Sequence, residues 1–316
     1  LAVVTPPFGL WQRYDSDPGE AGGGMSGFGD YGPFSQPRYS DIDLLRTRHR
    51  IEVDSPEDWW LLRRPEIARL VQKQLYGKPI DPTIPISWVV SAETTGVQVV
   101  GAETYAYRQK TFTGTVDVSS YPALRQTPIV TAECRYPAEP GKRYPVVVTY
   151  GEGTNRFQYT APYGIGICNY NPRLVQPDSG GANLSSYLIG LINKGNWRDP
   201  DDPGSLVAWG WGVSRLIDKF EGDPDIDGDR VAVQGHSRYG KATLATPAYD
   251  DRVVVACPSD AGALGTAMAR RHYGESLEFV ATTTGEYHWV NGNIMKYAGP
   301  LQPGGYIPRR VELLDV

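Results

Sequence analysis

Between residues 205 and 257 the apolar positions change period three times. In "SLVAWGWGVSRLIDKFEGDP" Leu206, Trp209, Val213, Leu216, Ile217 and Phe220 recur mostly at intervals of three and four, which gathers them on one face of a helix. "DRVAVQG" then reads as a short buried strand, "SRYGKATLATPAY" as a second helix and "RVVVAC" as another strand. Strands alternating with helices at this spacing predict a mostly parallel sheet covered on both faces.

Upstream the pattern differs. From about 86 to 136 the runs "ISWVVSAE", "TGVQVVGAETYAYR", "KTFTGTVDV" and "PIVTAECRYP" are β-branched and aromatic, and they predict strands at a sheet edge. "YPVVVTYGEGTN" follows as a buried strand entering a glycine-containing loop. Before them, Ser55 and Asp58 form an N-terminal cap signal for Leu61, Ile67, Leu70, Val71 and Leu75, with stops at Gly77 and Pro79. One or two helices fit there, broken near Pro65. The first forty residues, with "DPGEAGGGMSGFGDYGPFSQP", lack either period and lack the strand and helix a phosphate-binding loop needs. The organisation expected is an irregular Gly/Pro-rich arm over 1–45 and one α/β domain over 46–316. That domain is a three-layer sandwich, mostly parallel with antiparallel N-terminal strands.

Composition narrows the function classes. A chain of 316 residues with 40% hydrophobic content supports a large core. A net charge of −5 without a long basic run speaks against nucleic acid as a partner. No apolar run approaches the roughly 20 residues of a membrane-spanning helix, so no membrane partner is expected. The opening "LAVVTPPFG" has no initiator Met or basic leader and reads as a mature or recombinant soluble form. Three widely spaced cysteines, Cys134, Cys168 and Cys257, describe neither a disulfide scaffold nor a zinc site.

The candidate chemistry lies in "VAVQGHSRYGKATL", residues 231–244. A strand, a tight turn at Gly235, Ser237 at the tip and a helix immediately after form the context of a nucleophile elbow. The helix N-terminus there offers amides and a positive dipole end to a developing oxyanion. Tyr239 stands where the usual G-x-S-x-G pattern has its last glycine, and Gly240 follows one residue later.

Gly235-His236-Ser237-Arg238-Tyr239-Gly240-Lys241 resembles the G-x-S-R-x-G-K signature of carbohydrate esterase family 15, the glucuronoyl esterases. The likeness extends through "WGWGVSRLIDKFEGDPDIDGDRVAVQ", "RRPEIARLVQKQLYGKP", "RRHYGESLE" and "EYHWVNGN", about residues 55 to 295. It implies an α/β-hydrolase fold. Ser237 would be the nucleophile, Arg238 an oxyanion stabiliser and Lys241 a ligand for sugar hydroxyls. Asp260, in "PSDAGALG", would be the catalytic acid, although many relatives have Glu there. Glu275, in "YGES", matches a sugar-contacting carboxylate, and Glu286 is a second candidate. No metal or other cofactor is implied.

The histidine base is the missing part. In this fold it should follow the acid, and only His272 and His288 do. His288 matches a structural His-Trp pair of relatives, His236 should point away from Ser237, and His49 is far upstream. The base-bearing segment is therefore expected to lie outside the 316 residues, with recruitment of His288 as the alternative.

The function implied is hydrolysis of the ester between glucuronoyl or 4-O-methyl-glucuronoyl groups of xylan and lignin alcohols, through an acyl-enzyme, by a secreted or periplasmic monomer. Two alternatives stand beside it: an esterase for another sugar ester such as acetylated xylan, and a non-catalytic carbohydrate-binding relative. "DPDIDGD" imitates a calcium loop through Asp223, Asp225, Asp227 and Gly228, but its twelfth position is Gln234, so a capping turn is expected. Asn183-Leu184-Ser185 is a glycosylation sequon.

Overall fold

In a computed structural model the described residues are 51–151, 156–179, 184–267 and 286–296. The arm over 1–45, the sequon Asn183, and the candidates His49, His272 and Glu275 lie outside them. The Ser55 hydroxyl accepts from the Asp58 amide at 3.1 Å and opens α1 (Pro56–Asp58). The coil does not break at Pro65. It widens to π turns over Trp59–Arg63, resumes as α2 (Arg64–Val71) and widens again over Gln72–Tyr76. Arg64 N–H donates five residues back to Trp59 O, which carries the ladder past a proline that has no amide to give.

Among the described residues eight strands form one sheet: β1 (Ile86–Val90), β2 (Thr94–Val100), β3 (Glu103–Val116), β4 (Ile129–Pro137), β5 (Tyr144–Tyr150), β6 (Gly166–Tyr170), β7 (Ile226–His236) and β8 (Val253–Ser259). β1 and β2 line the same edge of β3, and the order continues β3-β4-β6-β5-β7-β8. Pairing is antiparallel as far as β4-β6 and parallel from β6 through β5 and β7 to β8. The sequence gives no warning of β6, "GICNY", which inserts between β4 and β5 and brings Cys134 opposite Cys168. Those two cysteines form a disulfide, and Cys257 is free and exposed.

The described residues also form α3 (Phe157–Thr160), α4 (Tyr187–Ile192), α5 (Ser205–Glu221) and α6 (Arg238–Tyr249). α5 buries the predicted face and also Val207, Ala208 and Trp211, because α6, the sheet and the Tyr170 hydroxyl, which donates to Trp209 O, enclose it. Strand alternation puts Ile167 on the sheet face opposite Cys168, where it packs with Phe157 and Ala161. The chain leaves β5 toward β6 on one side and returns to β7 on the other. Ligand sites in such sheets form at the carboxyl ends of the strands where this reversal occurs, and Ser237 follows β7 at that point.

Candidate active site

Ser237 sits at φ 57 and ψ −123, a backbone state that only tight constraint sustains in a non-glycine residue. The constraint is visible on both sides. Ser237 N–H donates to Ser259 O at 2.8 Å, extending the β7–β8 ladder into the corner, while Ser237 O accepts from Lys241 N–H at 3.0 Å as the first bond of α6. A Cβ at Gly235 would lie 2.5 Å from Tyr239 O, and one at Gly240 would lie 2.6 Å from Ser259 O. Close approach of helix to strand is thus carried by Gly240, one place later than in the usual pattern. Tyr239 is free to be large. It stacks on Tyr150 at 6.1 Å and meets Trp209 edge-on at 5.4 Å.

The Ser237 residue is exposed, at the crest of the sheet. Arg238 beside it lies over the Trp289 ring at 5.2 Å and donates through Nη1 to Asp178 Oδ2 at 2.7 Å. Asp178, in the loop after β6, is a hub no sequence signal indicated. Its Oδ1 accepts from His288 Nε2 at 3.0 Å and from Trp289 Nε1 at 2.8 Å, and Arg173 reaches Oδ2 at 3.3 Å. Burial opposes ionisation of Asp178, but hydrogen bonds from His288, Trp289 and Arg238, with the Arg238 charge, hold the carboxyl well below the usual carboxylate range.

The turn carrying His288 and Trp289 is pinned from behind. Arg198 Nη1 donates to Val290 O at 2.7 Å, and Asn291 Nδ2 donates to the terminal carbonyls of Gln72 and Lys73 at 3.1 and 2.9 Å. "VNGN" therefore caps the wide turns after α2 and holds Trp289 against the elbow.

The remaining candidates are distributed around this centre. Lys241 is buried rather than open to the surface: its ammonium donates to Ala261 O at 2.7 Å and lies 5.3 Å over the Trp289 ring. Asp260 follows β8 at φ 44, with its carboxylate 85% exposed and 3.7 Å from His236 Nδ1. Glu286 is half-buried at the start of the Trp289 turn, and its carbonyl accepts from Trp289 N–H at 3.0 Å. Of the histidines among the described residues, His288 spends Nε2 on Asp178 and His236 meets Ser259 Oγ at 3.2 Å; neither bonds the Ser237 hydroxyl. The calcium-like acids turn to protein cations instead: Asp223 and Asp225 both accept from Lys110, and Asp223 Oδ1 caps the Asp225 and Ile226 amides.

A family model described as glucuronyl esterase, fungi, matches residues 123–303, more than half of the chain and the whole of the elbow. The chain belongs to the glucuronoyl esterase family. Among curated relatives, the 4-O-methyl-glucuronoyl methylesterase of Hypocrea jecorina (strain QM6a) is 29% identical over 53% of this chain and 36% of its own length. That of Cerrena unicolor is 26% identical over 77% of this chain and 48% of its own. This family member thus spans between about a third and a half of those two relatives. A solved CE15 glucuronoyl esterase from Teredinibacter turnerae T7901 superposes with a TM-score of 0.70 at 28% identity, covering 83% of this chain and 65% of that one. The Solibacter usitatus glucuronoyl esterase, at 24% identity and TM-score 0.70 over 89% and 78%, shares the fold. The fold is that of the α/β-hydrolases.

Proposed function

We propose that this chain carries the nucleophile half of a serine esterase that cleaves the ester between a glucuronoyl or 4-O-methyl-glucuronoyl group of xylan and a lignin-type alcohol. The observation that supports it is the exposed Ser237 at positive φ capping a helix whose first residue, Arg238, carries its guanidinium over the Trp289 ring. Ser237 Oγ attacks the uronoyl carbonyl and gives up its proton to a histidine base. The carbonyl π pair moves onto oxygen, where the first amides of α6 and Arg238 receive the charge. Collapse expels the alcohol, which takes the proton from the base, and water releases the uronate from the acyl-enzyme by the same steps in reverse order. Asp260 holds the histidine tautomer and Glu275 and Glu286 contact the sugar, while Lys241, buried against Ala261 O and the Trp289 ring, supports the pocket from behind instead of reaching the sugar hydroxyls.

In this reading the base comes from a segment outside these 316 residues, and the protein works outside the cytoplasm, secreted or periplasmic. The Cys134–Cys168 disulfide supports an oxidising compartment. Hydrolysis of benzyl D-glucuronate by this chain and by the longest native polypeptide containing it, each against Ser237→Ala, tests the reading. A loss of about 1000-fold or more in the variant of the active form is expected. Equal rates for variant and parent in both forms would sink it. The engagement of His236 and His288 away from Ser237 favours a second reading for the isolated chain, a carbohydrate binder without turnover. Retained glucuronate binding with no Ser237-dependent hydrolysis is its signature.

A further inference from the structure

We propose that Asp178 is a positioning residue for the oxyanion site: its two oxygens divide the work, Oδ1 locking the His288–Trp289 turn and Oδ2 holding on that turn the guanidinium of Arg238, the residue that follows Ser237. The inference rests on the esterase reading for its chemistry and on the geometry alone for its mechanics. Arg238 leads the helix that follows Ser237, and its side chain is 41% exposed, so nothing in α6 itself fixes where the guanidinium stands. Two contacts fix it. The Trp289 ring lies 5.2 Å below the guanidinium and Asp178 Oδ2 lies 2.7 Å from Nη1.

The ring in turn is held at its Nε1 by Oδ1 of the same carboxylate, at 2.8 Å. One buried side chain, 4% exposed, therefore orients both the cation and the surface it rests on. Three segments distant in sequence meet there: the loop after β6, the elbow after β7 and the turn at 287–289.

The charge of Asp178 makes the claim distinguishable from simple electrostatics. A carboxylate this close to Arg238 lowers the positive potential offered to an oxyanion. If charge alone mattered, neutralising it would speed the reaction and tighten anion binding. If positioning matters, neutralising it slows the reaction although the site becomes more positive. Asp178→Asn is nearly isosteric. Its amide oxygen can still accept from His288 and Trp289, while its NH₂ replaces the oxygen that Arg238 needs.

The test is a double-mutant cycle of Asp178→Asn and Arg238→Ala in the longest native polypeptide containing this chain, with benzyl D-glucuronate hydrolysis and D-glucuronate binding by NMR titration both measured. The expected result is a fall in kcat of about tenfold or more for Asp178→Asn with KM within about twofold, on the scale of a mispositioned oxyanion donor. In the Arg238→Ala background the same substitution should change kcat less than twofold, because the group it acts through is gone. Glucuronate binding should weaken about fivefold or more in Asp178→Asn and no further in the double variant. An unchanged or raised kcat, an equal loss in both backgrounds, or tighter glucuronate binding would each overturn the proposal. The two readings fail separately. Hydrolysis that ignores Ser237 sinks the esterase, and the glucuronate titrations then decide Asp178 by themselves. A variant whose thermal midpoint falls by more than a few degrees is replaced by Asp178→Glu, expected to restore the Arg238 contact in part and to recover kcat above the Asn level.

Discussion

Ser237 is held at φ 57 because the strand ladder pulls its amide toward Ser259 while the helix claims its carbonyl for Lys241. The corner closes only if the residue two before it has no side chain. A methyl at Gly235 would sit 2.5 Å from Tyr239 O, a backbone atom that cannot step aside without moving α6. Gly235→Ala should therefore cost about 1–3 kcal/mol, the range for forcing extra volume into a packed site. It should also lower kcat more than that stability loss implies, since the displaced element carries Arg238. Urea unfolding of the variant alongside its esterase kinetics checks both, and wild-type stability would refute the packing argument. At this scale the sequence was informative where chemistry repeats a spacing. The elbow, Arg238 and the Tyr239 departure were all readable from seven consecutive residues. Asp178 was not, because "VQPDSGG" looks like any polar loop and its partners in the elbow and the 287–289 turn lie 60 and 110 or more positions away.

Among the elements, the turn between α5 and β7 shows what a calcium-like acidic motif does as the capping turn the sequence predicts. Lys110 on β3, 7% exposed, reaches Asp223 at 2.7 Å and Asp225 at 2.9 Å, and Arg108 reaches Asp225 at 2.7 Å. The network ties the antiparallel strand β3 to the turn that launches β7. Removing the central cation by Lys110→Met leaves two little-exposed carboxylates facing one another, and a cost of about 3–5 kcal/mol is expected in guanidinium unfolding. The pH dependence has a defined sign. Burial resists ionisation of Asp225, but Lys110 and Arg108 outweigh it and depress its pKa. The stabilisation is then complete above the ordinary carboxylate value near about 4 and is lost as pH falls from there through the lower folded value. The unfolding midpoint of the wild type should drop below about pH 4, and more shallowly in Lys110→Met; parallel curves would show that the cation is not what depresses the group. Element types were legible wherever a period ran long, as in α5 and β3. β6 escaped because five residues reading "GICNY" carry too few positions to show alternation. Pro65 misled because a helix can widen around a proline instead of ending.

For the molecule as a whole, the parallel half of the sheet follows from the alternation of strands and helices, but the strand order does not. Nothing local says that β6 lies between β4 and β5, so nothing local says that Cys134 and Cys168 are neighbours. The consequence is measurable. The bond spans 34 residues and joins the antiparallel half of the sheet to the parallel half that bears Ser237. Closing a loop of that length in the unfolded chain is worth about 3–4 kcal/mol by the chain-entropy account. Because both cysteines are fully buried, reductant should act only on the unfolded protein. Urea unfolding with dithiothreitol should therefore have a lower midpoint than without it, by an amount equivalent to about 3–4 kcal/mol. Alkylation of the native chain should modify Cys257 alone, and denaturation with reduction should expose Cys134 and Cys168 as well. Three modified thiols in the unreduced, denatured protein would show that the bond is not formed. Coincident midpoints with the bond intact at the start and reduced on unfolding would show that it contributes nothing to holding the two halves of the sheet together.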